Sequence, residues 1–223
     1  MSRLAASVNL LRRSSAAAGA VLLLAAAARA ERLRSHFDSD ALNRPPGFFD
    51  FTVLAAPAQA RWIVVNDDTA PSPPQAAAQV IDSRPDGSIA AALRHNSVGR
   101  DGTWSVMIKR GTARSGLVLR MVDERNFVVL LVDCGTGDAR LISYRDGKPG
   151  ELASGRGAFN TGWARLTVSG RGPALSATFD DKPLLQATDP NPASGRAGMA
   201  TTGAGPASFD EFVADPADSA IKP

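Results

Sequence analysis

The sequence predicts an all-β chain whose strands form two antiparallel sheets packed face to face. Three observations predict it. Short runs rich in β-branched and long apolar residues follow one another at close spacing from Arg61 to Ala214, each bounded by turn residues. Twenty Gly and fifteen Pro in 223 residues supply many turns. No stretch after residue 30 keeps a helical period over three turns. The wider composition agrees, because 44% hydrophobic and 21% charged residues exclude a disordered chain and a membrane bundle. A single Cys excludes an intrachain disulfide framework and any multi-cysteine zinc site.

The first thirty residues read as a secretory signal peptide. Arg3, Arg12 and Arg13 form a positive head, Ala16 to Ala28 is an uncharged apolar run, and Ala28-Arg29-Ala30 is a cleavage site. The run is shorter than the roughly 20 residues a spanning helix needs. Cleavage after Ala30 leaves 193 residues and removes four Arg and no acid. The remainder carries 21 basic against 22 acidic residues, a net charge of −1, so the +3 of the whole chain is a targeting feature. No basic patch is left to argue for nucleic acid. The expected location is secreted or periplasmic, with no membrane association after cleavage.

Residues 31–214 then form one domain, large enough to bury about 70% of its unfolded surface, and residues 215–223 form a disordered tail. Residues 41–60, with Pro45-Pro46-Gly47 and then Phe48, Phe49 and Phe51, read as a loop crossing a sheet face. Residues 66–78, with Pro71, Pro73 and Pro74, read as a second such loop, and Gln75–Ala78 within it is the best helical candidate. Strands are expected at 61–65, 79–82, 89–94, 102–110, 115–122, 126–133, 139–145, 151–154, 163–169, 175–179, 184–188, 196–201 and 208–214. Asp86-Gly87, Asp101-Gly102 and Asp146-Gly147 supply the positive φ of tight hairpins, and Asp180-Asp181 forms a two-residue hairpin loop. Gly116–Val122 and Phe127–Val132 are apolar on both faces apart from Arg120, which suits central strands covered on both sides. A two-sheet jelly roll produces this pattern.

The order of motifs carries a resemblance. Phe37-Asp38 is followed by Trp62-Ile63-Val64. Gly116–Arg120 runs into Asp123-x-x-Asn126-Phe127. Trp163–Val168 leads to a hairpin and Gly195-x-x-Gly198-Met199, and Phe209-Asp210-Glu211-Phe212-Val213 closes the domain. From about residue 36 to 214 the chain resembles the concanavalin A-like lectin/glucanase superfamily. More narrowly it resembles laminin-G-like domains and the bacterial secreted domains called 3-keto-disaccharide hydrolase, or family-16 glycoside hydrolase-like. The resemblance implies a first strand paired with the last, and sugar binding on a concave sheet. Gly116 and Gly198 fall where side chains would collide or the chain bends, and Trp62, Trp104 and Trp163 fill the space between the sheets.

Catalytic chemistry is poorly supported. Family-16 enzymes carry Glu-x-Asp-x-Glu on one strand, because alternation puts all three on one face. After residue 30 the only Glu are Glu31, Glu124, Glu151 and Glu211, and none lies in that pattern. Asp210 and Glu211 are adjacent, so regular alternation points them to opposite faces. His36 and His95 are the only His, and no G-x-S-x-G elbow occurs. Cys134 reads as a small buried residue. No cofactor is expected, although a structural Ca²⁺ could use Asp38 and Asp210 with loop carbonyls. Arg120 is either half of a buried ion pair, with Asp189 or Asp123, or a ligand contact. As a ligand contact it would join Asn126, Lys109, Tyr144 and His95. The leading expectation is a non-catalytic domain that binds carbohydrate or another extracellular ligand. The alternatives are a glycoside hydrolase acting on (3-keto-)glycosides and a structural interaction domain of the cell envelope.

Overall fold

The computed structural model describes residues 32–81 and 87–217. The segment expected as a signal peptide, its expected cleavage site, Asp82, Asp86 and the expected tail beyond Ala217 lie outside the described residues. Among the described residues every regular element is a strand. They are β1 (Leu33–Ser35), β2 (Phe49–Leu54), β3 (Trp62–Asn66), β4 (Gln75–Gln79), β5 (Ile89–Arg94), β6 (Gly102–Lys109), β7 (Arg114–Asp123) and β8 (Asn126–Asp133). They continue as β9 (Asp138–Arg145), β10 (Lys148–Arg156), β11 (Trp163–Arg171), β12 (Ala174–Phe179), β13 (Lys182–Thr188), β14 (Arg196–Thr202) and β15 (Ala207–Pro216).

Two sheets result, and every strand pairing within them is antiparallel. The eight-stranded sheet runs β13-β12-β11-β6-β15-β4-β3, with β1 also on β15. The seven-stranded sheet runs β10-β9-β8-β7-β14-β5-β2. The first strand pairs with the last, Leu33 opposite Ala214, as the resemblance implies. Two-residue turns close the tight hairpins because both central residues accept positive φ. These are Asp180 and Asp181 at 48° and 61°, and Asp146 and Gly147 at 51° and 80°.

Alternation builds the core. Leu117 and Leu119 of β7, Val128, Leu130 and Val132 of β8, and Leu166 and Val168 of β11 project between the sheets, around Trp104, Phe209 and Phe212. The intervening residues of the seven-stranded sheet form a second buried apolar cluster on its outer face, with Leu54, Ile89, Leu93, Val118, Phe127, Val129 and Tyr144. This accounts for the two apolar faces of β7 and β8. Gly116 and Gly198 are required by close strand approach, since a Cβ would stand 1.9 Å from the Leu130 carbonyl oxygen and 2.0 Å from that of Ala92. Gly198→Ala is therefore expected to destabilise by about 1–3 kcal/mol, measured by urea unfolding. Wild-type stability in that variant would overturn the close approach.

The structure corrects several expectations. Residues 49–54 form strand β2, pairing with β5 from Phe49 opposite Arg94 to Leu54 opposite Ile89. The alternation of Phe49, Phe51 and Val53 was present, but the prolines before it suggested a loop. Gln75–Gln79 is strand β4, not a helix. Pairing with β3 and β15 overrides the weak β preference of Ala, and three small side chains fit where Ala76, Ala77 and Ala78 are all buried. Residues 66–74 do cross a sheet face. Asp101-Gly102 turns no hairpin; Gly102 opens β6 opposite Gly170 and Pro216. Asp215 and Pro216 belong to β15, opposite Thr103 and Gly102, so the strand runs two residues into the segment expected as tail. Trp62 and Trp104 lie between the sheets, but Trp163 does not. It sits on the outer face of the eight-stranded sheet with Ala70 and Ala76, and its indole N–H donates to Thr69 of the crossing loop.

Candidate functional site

The residues expected to share a ligand site are dispersed. Alternation along β7 would put Arg120 on the outer face with Val118. Instead the strand bulges between Leu119 and Asp123, and Arg120 adopts φ +52°. Gly195 permits the bulge, since a Cβ there would lie 2.5 Å from the Arg120 carbonyl carbon. The guanidinium is fully buried at one end of the sandwich. Nη1 meets Asp189 at 3.0 Å, Nε donates to the Arg100 carbonyl and Nη2 to the Gly172 carbonyl. Arg145 holds the other Asp189 oxygen at 2.8 Å. The ion-pair reading with Asp189 therefore describes Arg120, and no donor is left facing a ligand.

Lys109 lies on the other sheet, 2.6 Å from Asp67 and with its ammonium 5.6 Å from the Trp163 ring centroid. Asn126 braces two hairpins, donating to Asp123 and accepting from the Asp146 N–H. Tyr144 stacks on Phe127 at 4.4 Å within the apolar outer face of the seven-stranded sheet. Cys134 is buried, and burial pushes its thiol up to about 11, so it is a small core residue with no reactive thiolate.

Asp38 and Asp210 do meet, through Ser72. The Ser72 N–H donates to Asp210 and its hydroxyl to Asp38, both at 2.7 Å. The second Asp210 oxygen accepts the Glu211 N–H. A β-bulge at Asp210 and Glu211, with φ +44° at Glu211, breaks the expected alternation. Both acids thus lie toward the outer face of the eight-stranded sheet, where Glu211 pairs with Arg165. Burial, opposed by the two N–H donors and aided by the charges of Glu211 and Asp38, raises the Asp210 carboxyl to about 7. Among the described residues no group of three or more His, Cys, Asp or Glu is arranged to hold a metal ion.

A different set converges at one end of the seven-stranded sheet. Asp50 of β2, His95 after β5 and Arg196 of β14 join there. Asp50 Oδ1 is 3.0 Å from His95 Nε2, and Oδ2 is 2.6 Å from Arg196 Nη2. Thr52, two residues along β2, donates its hydroxyl at 3.0 Å to Glu124, which arches over from the β7–β8 hairpin. Hydrogen bonds from His95 and then Arg196 hold the Asp50 carboxyl below the usual carboxylate range. Beside them the Phe48 carbonyl accepts the His95 N–H, and the Phe48 ring is 70% exposed with Arg94 packed 5.0 Å from its centroid. Only His95 of this set was singled out as a site residue, although Phe48 was named among the aromatic residues of its loop. Asp50, Thr52, Glu124 and Arg196 are separated by up to 146 positions in the chain, and no spacing signals them.

No family model matches the chain, and no curated protein sequence matches it. Solved structures do. The carbohydrate binding module CBM66 from Bacillus subtilis superposes with a TM-score of 0.57 at 16% identity, covering 74% of this chain and 95% of that one. The beta-glucanase of Bacillus licheniformis gives 0.53 at 10% identity, covering 82% and 97%. Domain 4 of AbnA, an extracellular arabinanase from Geobacillus stearothermophilus solved with arabinotriose, gives 0.51 at 16% identity, covering 81% and 89%. The fold is the concanavalin A-like jelly-roll sandwich, an architecture used by carbohydrate-binding and glycosidase proteins.

Proposed function

We propose that the protein is a non-catalytic carbohydrate-binding domain that acts in the periplasm or outside the cell after loss of its first thirty residues. The sugar site in this reading is the Asp50, Thr52, His95, Arg196 and Glu124 cluster with Phe48 beside it. The observation that carries it is the convergence of exposed and half-buried, mutually oriented polar groups with an exposed aromatic ring on one end of a sheet. Planar carboxylate and guanidinium groups fix sugar hydroxyls in direction, and a ring offers a surface to the C–H face of a pyranose. Hydrolysis needs a carboxyl that keeps its proton to act as acid. Asp50 is shifted the other way, so it does not supply that acid.

A glycan array followed by titration calorimetry tests the reading. Phe48→Ala should weaken binding by about 3- to 10-fold with an unchanged melting temperature, because the ring is largely in solvent. Asp50→Asn should weaken it at least as much. A panel without any binder, or variants that bind as the wild type does, would overturn it.

A second reading, a glycoside hydrolase, rests on one observation: Asp210 is raised to about 7 beside ionisable Glu211 and Asp38, which is how an acid and a base are separated. It is disfavoured because Asp210 is fully buried under Ser72. Reducing-sugar release that vanishes in Asp210→Asn, with the fold retained, would reverse the order of the two readings.

A further inference from the structure

The outer face of the eight-stranded sheet differs from that of its partner. Thr103, Ser169, Ser176 and Gln186 stand directly opposite one another across β6, β11, β12 and β13, and all four are exposed. Three strand spacings of about 4.8 Å make this polar row about 14 Å long. The next level along the strands is Arg171, Ala174 and Thr188, also exposed. Five of these residues, Ser169, Ser176, Gln186, Arg171 and Thr188, line an open cleft of about 740 Å³ that also reaches Leu175 of the inter-sheet core and Leu152 of β10 at the edge of the other sheet. That volume lies within the usual range for small-ligand sites, about 300–1,000 Å³.

The charge at this end is uneven. Among the described residues no carboxylate lines the cleft. The carboxylates bonded to the loops at this end are already engaged. Asp101 holds Arg100 and the Gly172 N–H, and Asp189 is shared by Arg120 and Arg145. Asp215 stands opposite Thr103, beyond the far end of the row. Among the described residues the Arg171 guanidinium has no hydrogen-bond or ion-pair partner. A free guanidinium among neutral hydrogen-bonding residues, without a competing carboxylate, selects a ligand with one negative charge and several hydroxyls.

We propose that this cleft is a second binding site, for an acidic sugar of the uronic-acid class, with Arg171 taking the carboxylate and the Ser, Thr and Gln residues the ring hydroxyls. It is independent of the Phe48 cluster, which belongs to the other sheet.

The test is a ¹⁵N-resolved titration of the purified full chain with galacturonate, galactose and acetate. Galacturonate should shift the amides of residues 169–176 and 186–188. Galactose, lacking the charge, and acetate, lacking the hydroxyls, should each bind about 10-fold more weakly or worse. Arg171→Gln should cost galacturonate about 10-fold in affinity, read at those same amides. Equal binding of galactose, full affinity in Arg171→Gln, or no shift with galacturonate would each overturn the proposal.

Discussion

Arg120→Met is expected to lower the unfolding free energy by about 3–5 kcal/mol, the loss seen when one partner of a buried ion pair is removed. Three groups lose their donor at once: Asp189, the Arg100 carbonyl and the Gly172 carbonyl. They come from the loop after β13, the loop before β6 and the β11–β12 turn, so the variant loosens one end of the sandwich where the two sheets are tied together. Arg145 keeps one Asp189 oxygen but leaves the other in a site closed to water. Urea unfolding measures the loss. Adding Asp189→Leu should recover part of it, because the stranded charge then goes too. Glycan affinity should stay within about twofold of wild type in any variant that remains folded, since no Arg120 donor faces a ligand. Wild-type stability with lost binding would show that Arg120 is a ligand contact after all.

Asp210 should give the protein a stability that falls as pH rises through neutrality. In the unfolded chain its carboxyl titrates at its ordinary value of 3.8, and in the folded chain at about 7. Between those values the folded state holds a proton that the unfolded state has released, so raising the pH favours unfolding. The contribution is complete below about pH 4 and is lost by about pH 8. At about 1.4 kcal/mol per pH unit it amounts to about 4 kcal/mol. Asp210→Asn should remove this slope. It should also cost about 1–3 kcal/mol at low pH, because an amide oxygen can accept from Ser72 or from Glu211 while its NH₂ cannot accept the other N–H. Unfolding followed from pH 4 to pH 9 reads both effects. The same slope in wild type and variant would place the titrating group elsewhere.

Much of the architecture was legible before the structure. Runs such as Asn126–Asp133 and Trp163–Ser169 announce strands through their own composition, and Asp180-Asp181 announces its turn, because those preferences are local and act over a few bonds. The pairing of Arg120 with Asp189 was named because a lone Arg in an apolar strand demands a buried partner and few carboxylates are available. Legibility failed where a neighbour in space outweighed the local signal. β4 is a strand because β3 and β15 flank it, although its Ala run leans toward helix. Trp163 points outward because the 66–74 loop supplies it with a cover.

The two bulges mark the limit most clearly. Alternation is a property of a regular strand, and it put Arg120 on an outer face and Asp210 and Glu211 on opposite faces. One positive φ in each strand reversed those placements, and a bulge leaves no period in the sequence to read. The sequence by itself determined an all-β sandwich, the strands of its centre and the need for a buried partner to Arg120. Only the tertiary structure decided which side chains share a surface. It brought Asp50, His95, Arg196, Glu124 and Thr52 together, set Arg171 at the corner of a polar row, and sent Lys109 and Tyr144 to different sheets. The physical reason is one of range: strand and turn preferences are local, whereas a binding surface is set by which distant strands become neighbours.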